Sequence, residues 1–313
     1  MIIFATLATT TVMMALTIPF FRKYFLARKE SRSFHSGLIP QGGGIIFALV
    51  ASFFSYKAGS IIPSICLLVA FVGLFDDKFK LPISVRYISQ FFVLIILMYY
   101  QDIFSKLFFS NIYLNLFLYF LIVISGTAFI NLTNFMDGID GLVSISFTLI
   151  LLFVFRFTYP QLTIVASALI AFIPWNYNPA KIFMGDAGST FLGAIYVSAL
   201  LACKNYSQMF SVLFIASPLL GDALFCILRR MYHKQNIFRP HKLHLYQRLC
   251  MSGMSHKKVT FLYALAIFLV GITTFFADLK VTILVILLEL SLAFWLDMKI
   301  AFPFRIALKE EIS

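Results

Sequence analysis

Apolar runs of roughly 17 to 25 residues recur from one end of the chain to the other, the length a helix needs to cross ~30 Å of hydrocarbon. In hydrocarbon every backbone N–H and C=O must find its partner within the protein, so only α-helices or closed β-barrels can span it. The alternating segments of about ten residues that build a membrane barrel are absent from the sequence. An all-α, polytopic membrane protein is therefore expected. Composition excludes the alternative: with 61% hydrophobic residues, 38 Phe and only 12% charged residues, no polar shell could cover a water-soluble core.

The runs place about eleven transmembrane helices, at 1–21, 43–59, 61–75, 83–100, 108–130, 142–159, 162–175, 189–203, 208–228, 259–277 and 280–297. Met1 to Phe21 has no basic residue before it and no small-residue cleavage site after it, so it reads as a retained span rather than a signal peptide. Arg22, Lys23, Arg28, Lys29 and Arg32 follow at once. By the positive-inside rule that loop is cytoplasmic, which puts the N-terminus outside and the C-terminus in the cytoplasm. Only Lys57, Lys106, Arg156, Lys204 and Lys280 then lie outside, leaving 20 of the 25 basic residues inside or at the inner rim. This asymmetry accounts for the net charge of +12 without a nucleic-acid partner. A single domain over residues 1–313 is expected, with the loop 229–258 as the best candidate for a small cytoplasmic appendage. Cys66, Cys203, Cys226 and Cys250 are far apart and form no CxxC pair, so they read as apolar packing residues.

Acids, amides and imidazoles are rare here, and they cluster in four polar islands that all fall on the cytoplasmic side of this topology. The central one, NLTNFMDGIDGL at 131–142, holds Asn131, Asn134, Asp137 and Asp140 beside Gly138 and Gly141. Three-residue spacing would put Asn134, Asp137 and Asp140 on one face of a helical turn, where hard oxygen donors suit Mg²⁺ shared with substrate phosphates. An Asx turn capping the next helix explains one Asp but not the set. Asp76 and Asp77, with Lys78 and Lys80 just beyond, form an adjacent carboxylate pair suited to a divalent metal or a general base. A helix end charged for solvation explains that pair about as well. In FMGDAGST, Asp186 is placed to hold a metal while the amides of a helix start bind phosphate. An N-cap by Ser189 would leave Asp186, Asn176 and Asn178 unexplained. RPHKLHLYQRL at 239–249 gathers Arg239, His241, Lys242, His244 and Arg248, a density that fits diphosphate recognition. An interfacial basic belt would account for its Lys and Arg only. Asp222 lies inside a span, with Arg229 seven residues on as its expected partner or the shared site as the reason for its presence.

These residues resemble the polyprenyl-phosphate N-acetylhexosamine 1-phosphate transferases (glycosyltransferase family 4), over most of the chain. The resemblance rests on HSGLIPQGGGI at 35–45, DDKFK at 76–80, NLTNFMDGIDGL at 131–142, PWNYNPAKIFMGDAGST at 174–190, PLLGDALFCILRR at 218–230 and FRPHKLHLYQRL at 238–249. It implies a Mg²⁺-dependent enzyme, with Mn²⁺ as an alternative ion. In it a polyprenyl phosphate oxygen attacks the β-phosphate of a UDP-sugar and releases UMP. It also implies Asp76 and Asp77 as the catalytic pair near the lipid phosphate, Asp186 with Asp76 as metal ligands, and Asp137 and Asp140 as further catalytic residues. Asn134, Asn176, Lys80, His241, His244 and Arg248 are the implied substrate contacts. The implied partners are the polyprenyl phosphate lipid, a UDP-sugar and the membrane, with a homodimer compatible.

One departure concerns the sugar. Where relatives acting on N-acetylglucosamine or muramyl-pentapeptide nucleotides carry closely spaced histidines, only His244 matches, followed by Tyr246 and Gln247. That pattern looks more like the branch using UDP-linked 6-deoxy-N-acetylhexosamines. A secondary transporter or lipid-phosphate flippase is the rival class, but transporter sites lie near the bilayer midplane on broken helices. Here nearly all carboxylates gather at one face. A non-catalytic scaffold gives no reason for so many acids beside glycine turns.

Overall fold

A computed structural model describes residues 1–26, 39–107, 109–236, 241–277 and 279–312. Arg28, Lys29, Arg32, Arg239 and the HSGL of the first motif lie outside the described residues. Apart from one isolated bridge between Leu26 and Pro40, the described residues form no β-structure. The all-α expectation holds. The helices are α1 (Ile2–Tyr24), α2 (Gly44–Lys57), α3 (Ile62–Phe79), α4 (Ile83–Tyr100), α5 (Ile103–Lys106), α6 (Ile112–Phe135) and α7 (Leu142–Val154). They continue as α8 (Leu162–Asn176), α9 (Gly185–Leu201), α10 (Tyr206–Tyr232), α11 (Leu245–Met251), α12 (His256–Phe276), α13 (Leu279–Lys299) and α14 (Phe304–Ile312).

Every apolar run of the sequence coincides with one of these helices. Among the described residues, α1, α4, α6, α10, α12 and α13 are long and apolar enough to cross a bilayer. At 1.5 Å per residue, α2, α7 and α8, with 14, 13 and 15 residues, rise only ~20–23 Å. These short helices are interior ones, with most of their residues buried.

The core sits on α9. Ala187 through Ala199 are all buried, and α2, α3, α4, α6, α7 and α10 contact the helix. Its sequence, GDAGSTFLGAIYVSALL, alternates small and large side chains. In a bilayer, where apolar helices gain little from leaving lipid, such small residues drive association by letting backbones approach. At the opposite extreme, α13 buries only Thr282. The chain end is tied down through Arg248, whose carbonyl accepts from the Phe302 amide (3.0 Å) and whose Nη1 donates to the Phe302 carbonyl (3.0 Å).

Candidate active site

The crossing of α3 and α9 places three carboxylates together. Gly73 is the contact point: a Cβ there would lie 2.5 Å from the Asp186 carbonyl oxygen, so only glycine lets the helices meet. One turn further along α3, Asp77 reaches the start of α9. Its Oδ1 accepts from the Asp186 amide (3.0 Å) and its Oδ2 from the Ala187 amide (3.4 Å). Gly185 takes φ +68° and lies against the same carboxylate, leaving no room for a side chain. The expected free amides at this helix start are thus already engaged by an anion from the chain itself. Gln41, from the QGGG motif, donates to the Asp77 carbonyl (2.7 Å).

Asp76 accepts from the Leu81 amide (2.6 Å) and pairs with Arg86 (3.0 Å). Arg86 Nη1 is also 3.5 Å from Asp186, so one guanidinium bridges two of the three acids. Both α3 acids lie beyond the apolar run 61–75. Burial, then the neighbouring Asp186, pushes Asp76 up to about 6, against the pull of Arg86 and the Leu81 amide. Burial and Asp186 also raise Asp77 well above the usual carboxylate range, against its two backbone donors. Lys80 ends α3 in a left-handed conformation (φ 56°), exposed at the rim of the cluster.

The central island is a turn rather than the helical turn its spacing suggested. α6 ends at Phe135 and α7 begins at Leu142, and Gly141 at φ +76° turns the chain between them. Asn134 stays on α6, its Oδ1 accepting from Ser189 on α9 (3.1 Å). Asp137 lies close enough to Asp77 for its charge to raise that carboxyl further. Asp140 is buried, and its Oδ2 accepts from Asn178 Nδ2 (2.9 Å) and the Ala180 amide (3.1 Å), holding the loop between α8 and α9. Asn176, also buried, accepts from Ser144 Oγ (2.8 Å) and donates to the Ile182 carbonyl (3.1 Å). Its amide fixes that loop from the other side.

The last island reaches the central turn through Tyr246, which is fully buried, donates to the Phe135 carbonyl (3.0 Å) and packs against Gly138. Gln247 is buried too, its Oε1 accepting from the His244 amide (3.2 Å). Arg248 differs from expectation. Its Nε donates to the Leu243 carbonyl (3.1 Å), Nη1 binds Phe302 and Nη2 pairs with Asp297, so internal partners hold the guanidinium. Asp222 also differs: Arg229 pairs with Asp297 (2.9 Å), while Asp222 accepts from the Leu245 and Tyr246 amides (2.8 and 3.2 Å) and from Tyr263 (2.6 Å). An acid at a helix start satisfies amides that have no partner within the helix, which a partner search among cations alone overlooks.

Residues 60–204, which contain the acid trio and the central turn, match the profile of "Glycosyl transferase family 4". A "Probable undecaprenyl-phosphate N-acetylglucosaminyl 1-phosphate transferase" of Bacillus subtilis (strain 168) is 31% identical over 267 residues, covering 77% of this chain and 73% of that protein. The chain belongs to glycosyl transferase family 4. Another relative in this family is the "Undecaprenyl-phosphate alpha-N-acetylglucosaminyl 1-phosphate transferase" of Escherichia coli (strain K12), 30% identical over 75% of this chain and 71% of its own. A "Phospho-N-acetylmuramoyl-pentapeptide-transferase" of Dictyoglomus turgidum (strain DSM 6724 / Z-1310) is 29% identical over 71% and 78%.

The family resemblance implies a divalent cation, and the donor set fits one. Asp76 and Asp186 share one cation, Arg86, and Asp77 accepts from the Asp186 amide, so three hard oxygen ligands lie on neighbouring chain segments, and burial resists the charge of the α3 pair. A cluster of this kind gains from a hard divalent ion such as Mg²⁺. Two members of the site escaped the sequence reading. Arg86 is a lone cation near a helix start, indistinguishable there from an interfacial charge; Gln41 lay within a quoted motif without an assigned role.

Proposed function

We propose that this glycosyl transferase family 4 member transfers an N-acetylhexosamine 1-phosphate from a UDP-sugar to undecaprenyl or another polyprenyl phosphate. A phosphate oxygen of the lipid bonds to the β-phosphorus of the nucleotide sugar, the bond from that phosphorus to the bridging oxygen breaks, and UMP leaves. The observation that carries this reading is the convergence of Asp76, Asp77 and Asp186 with the turn 136–141 at one end of the helix bundle. Asp76, Asp77 and Asp186 would hold Mg²⁺, which when bound offsets the charge of the two phosphates. Asp77 is fixed by the α9 amides, and Asp76, tied to the Leu81 amide and Arg86, is the carboxylate proposed to take a proton from the lipid phosphate. Asp137 and Asn134 border the nucleotide sugar, and Lys80 meets phosphate at the rim. Asp140 and Asn176 shape the site by holding the α8–α9 loop. His241, His244 and Arg248 serve it from behind, by fixing α11.

The eleven apolar runs cross the cytoplasmic membrane in this reading, the short α2, α7 and α8 buried within the bundle rather than facing lipid, with the N-terminus outside and the site on the cytoplasmic face. The product starts a lipid-linked surface polysaccharide, of the O-antigen or cell-wall kind. The donor is a UDP-N-acetylhexosamine, and Tyr246 and Gln247 favour the 6-deoxy form. Since both side chains are buried, Tyr246 acts on the sugar by setting the position of the turn at Gly138, and Gln247 by holding the His244 amide at the start of α11.

Release of UMP by the purified protein, given Mg²⁺ and undecaprenyl phosphate, tests the reaction; no release with any UDP-N-acetylhexosamine overturns it. Competition between UDP-N-acetylglucosamine and its 6-deoxy analogue tests the donor. A pocket that packs a methyl rejects an added hydroxyl only modestly, so the expected preference for the 6-deoxy sugar is on the order of 10² or less. Equal use, or preference for N-acetylglucosamine, removes the 6-deoxy reading and leaves the reaction intact.

A further inference from the structure

Around the start of α11 lies a group of soft and borderline ligands, different in chemistry from the acid trio. Cys226, near the end of α10, and His241 and His244, in the segment leading into α11, each offer one ligand atom, all within 4.8 Å of one another. Cys226 and His244 are 3% and 2% exposed. His244 stands at the start of α11, and its Nδ1 is buried without a hydrogen-bond partner. Leaving a buried imidazole nitrogen unsatisfied is costly. Its ring stacks on His241 (centroids 4.8 Å apart) and on Tyr246 (5.7 Å), which fixes its direction.

We propose that Cys226, His241 and His244 bind a zinc ion that clips the segment before α11 to α10. One thiolate and two neutral imidazoles are a zinc donor set, whereas Mg²⁺ takes oxygen ligands. Tetrahedral bonds of ~2.0–2.3 Å put ligand atoms roughly 3.3–3.7 Å apart. Side-chain rotation of about 1 Å therefore closes the observed cluster onto an ion. His241 Nδ1 accepts from the Leu243 amide at 3.3 Å. That contact needs a bare Nδ1, so a bound ion replaces it whichever ring nitrogen ligates. Binding converts Cys226 to its thiolate with release of one proton, and no oxidation is involved. The fourth position is left to water. The clip acts on the transfer site through α11, since Tyr246, two residues after His244, is the residue that touches the turn at Phe135 and Gly138.

The test is metal content, read independently of turnover. Full-length protein purified in detergent from zinc-supplemented cells is analysed for zinc, then compared with Cys226→Ser, His241→Ala and Asp186→Asn. Stoichiometric zinc is expected in the wild type and in Asp186→Asn, with a fall of at least ~10-fold in the other two, the scale on which lost ligand support weakens metal sites. Exchange with Co²⁺ guards against misfolded variants: the wild type is expected to show a thiolate-to-cobalt charge-transfer band that Cys226→Ser lacks. Sub-stoichiometric zinc in the wild type, zinc unchanged by Cys226→Ser, or a cobalt spectrum without the thiolate band would each overturn the proposal.

Discussion

Asp76 and Asp77 are neighbours in sequence with different work to do, and the difference can be measured. Asp77→Asn keeps the shape but weakens two charge-assisted bonds to the α9 amides, each worth about 1.5–3 kcal/mol when the acceptor is charged. It is expected to lower the melting temperature in detergent as well as the rate. Asp76→Asn is expected to cost the rate at least ~100-fold, the scale of a lost general base, while changing the melting temperature much less. Equal thermal losses in both variants would show that Asp77 does not hold α9. Asp186→Asn is expected to abolish turnover with the fold retained, because a hard ligand is lost from a cation site; ordinary activity at limiting Mg²⁺ would remove Asp186 from that site. The acids were legible in the sequence because a carboxylate between apolar runs has few other reasons to exist. Their partners were not: the bond from Asp77 to the Asp186 amide spans 109 residues, and no local pattern encodes it.

Among the elements, the crossing of α3 and α9 sets the site, and it depends on the missing side chain at Gly73. Gly73→Ala drives a methyl into the Asp186 backbone, an overpacking expected to cost about 1–3 kcal/mol and to lower activity by separating the acids. Gly221 on α10 is the matched control, since a Cβ there meets nothing within 4 Å. Gly221→Ala is expected to be neutral or to stabilise by up to ~1 kcal/mol, as Ala favours a helix interior over Gly. If both substitutions behave alike in thermal unfolding, close approach at Gly73 is not what fixes the crossing. The helices themselves were readable from hydropathy, and each apolar run became one. What misled was local periodicity at 134–140, where three-residue spacing suggests a helical face. Gly138 and Gly141 instead release the chain into a turn, with Asp140 drawn to the α8–α9 loop.

For the whole molecule, the arrangement of α10, α11 and α12 explains how a chain built of apolar helices keeps a polar site in register. Asp222 joins all three: it sits on α10, accepts the first amides of α11 and takes the Tyr263 hydroxyl from α12. It touches none of the acid trio, yet α11 carries Tyr246 to the Phe135 carbonyl at the edge of the central turn. Asp222 is therefore a positioning residue. In Asp222→Ala the α11 amides and the Tyr263 hydroxyl lose their acceptor together, a loss of about 1–3 kcal/mol per stranded buried group. Activity is expected to fall through the nucleotide-sugar side, with KM for the donor raised and the Mg²⁺ concentration for half-maximal rate unchanged, since Asp76, Asp77 and Asp186 are held by α3, α4 and α9. Asp222→Asn keeps one acceptor oxygen and is expected to recover part of the donor affinity. The measurement is a pair of titrations, donor and Mg²⁺, on each variant. A shift in the Mg²⁺ requirement with donor KM untouched would mean that Asp222 acts on the metal site and that α11 does not transmit its effect.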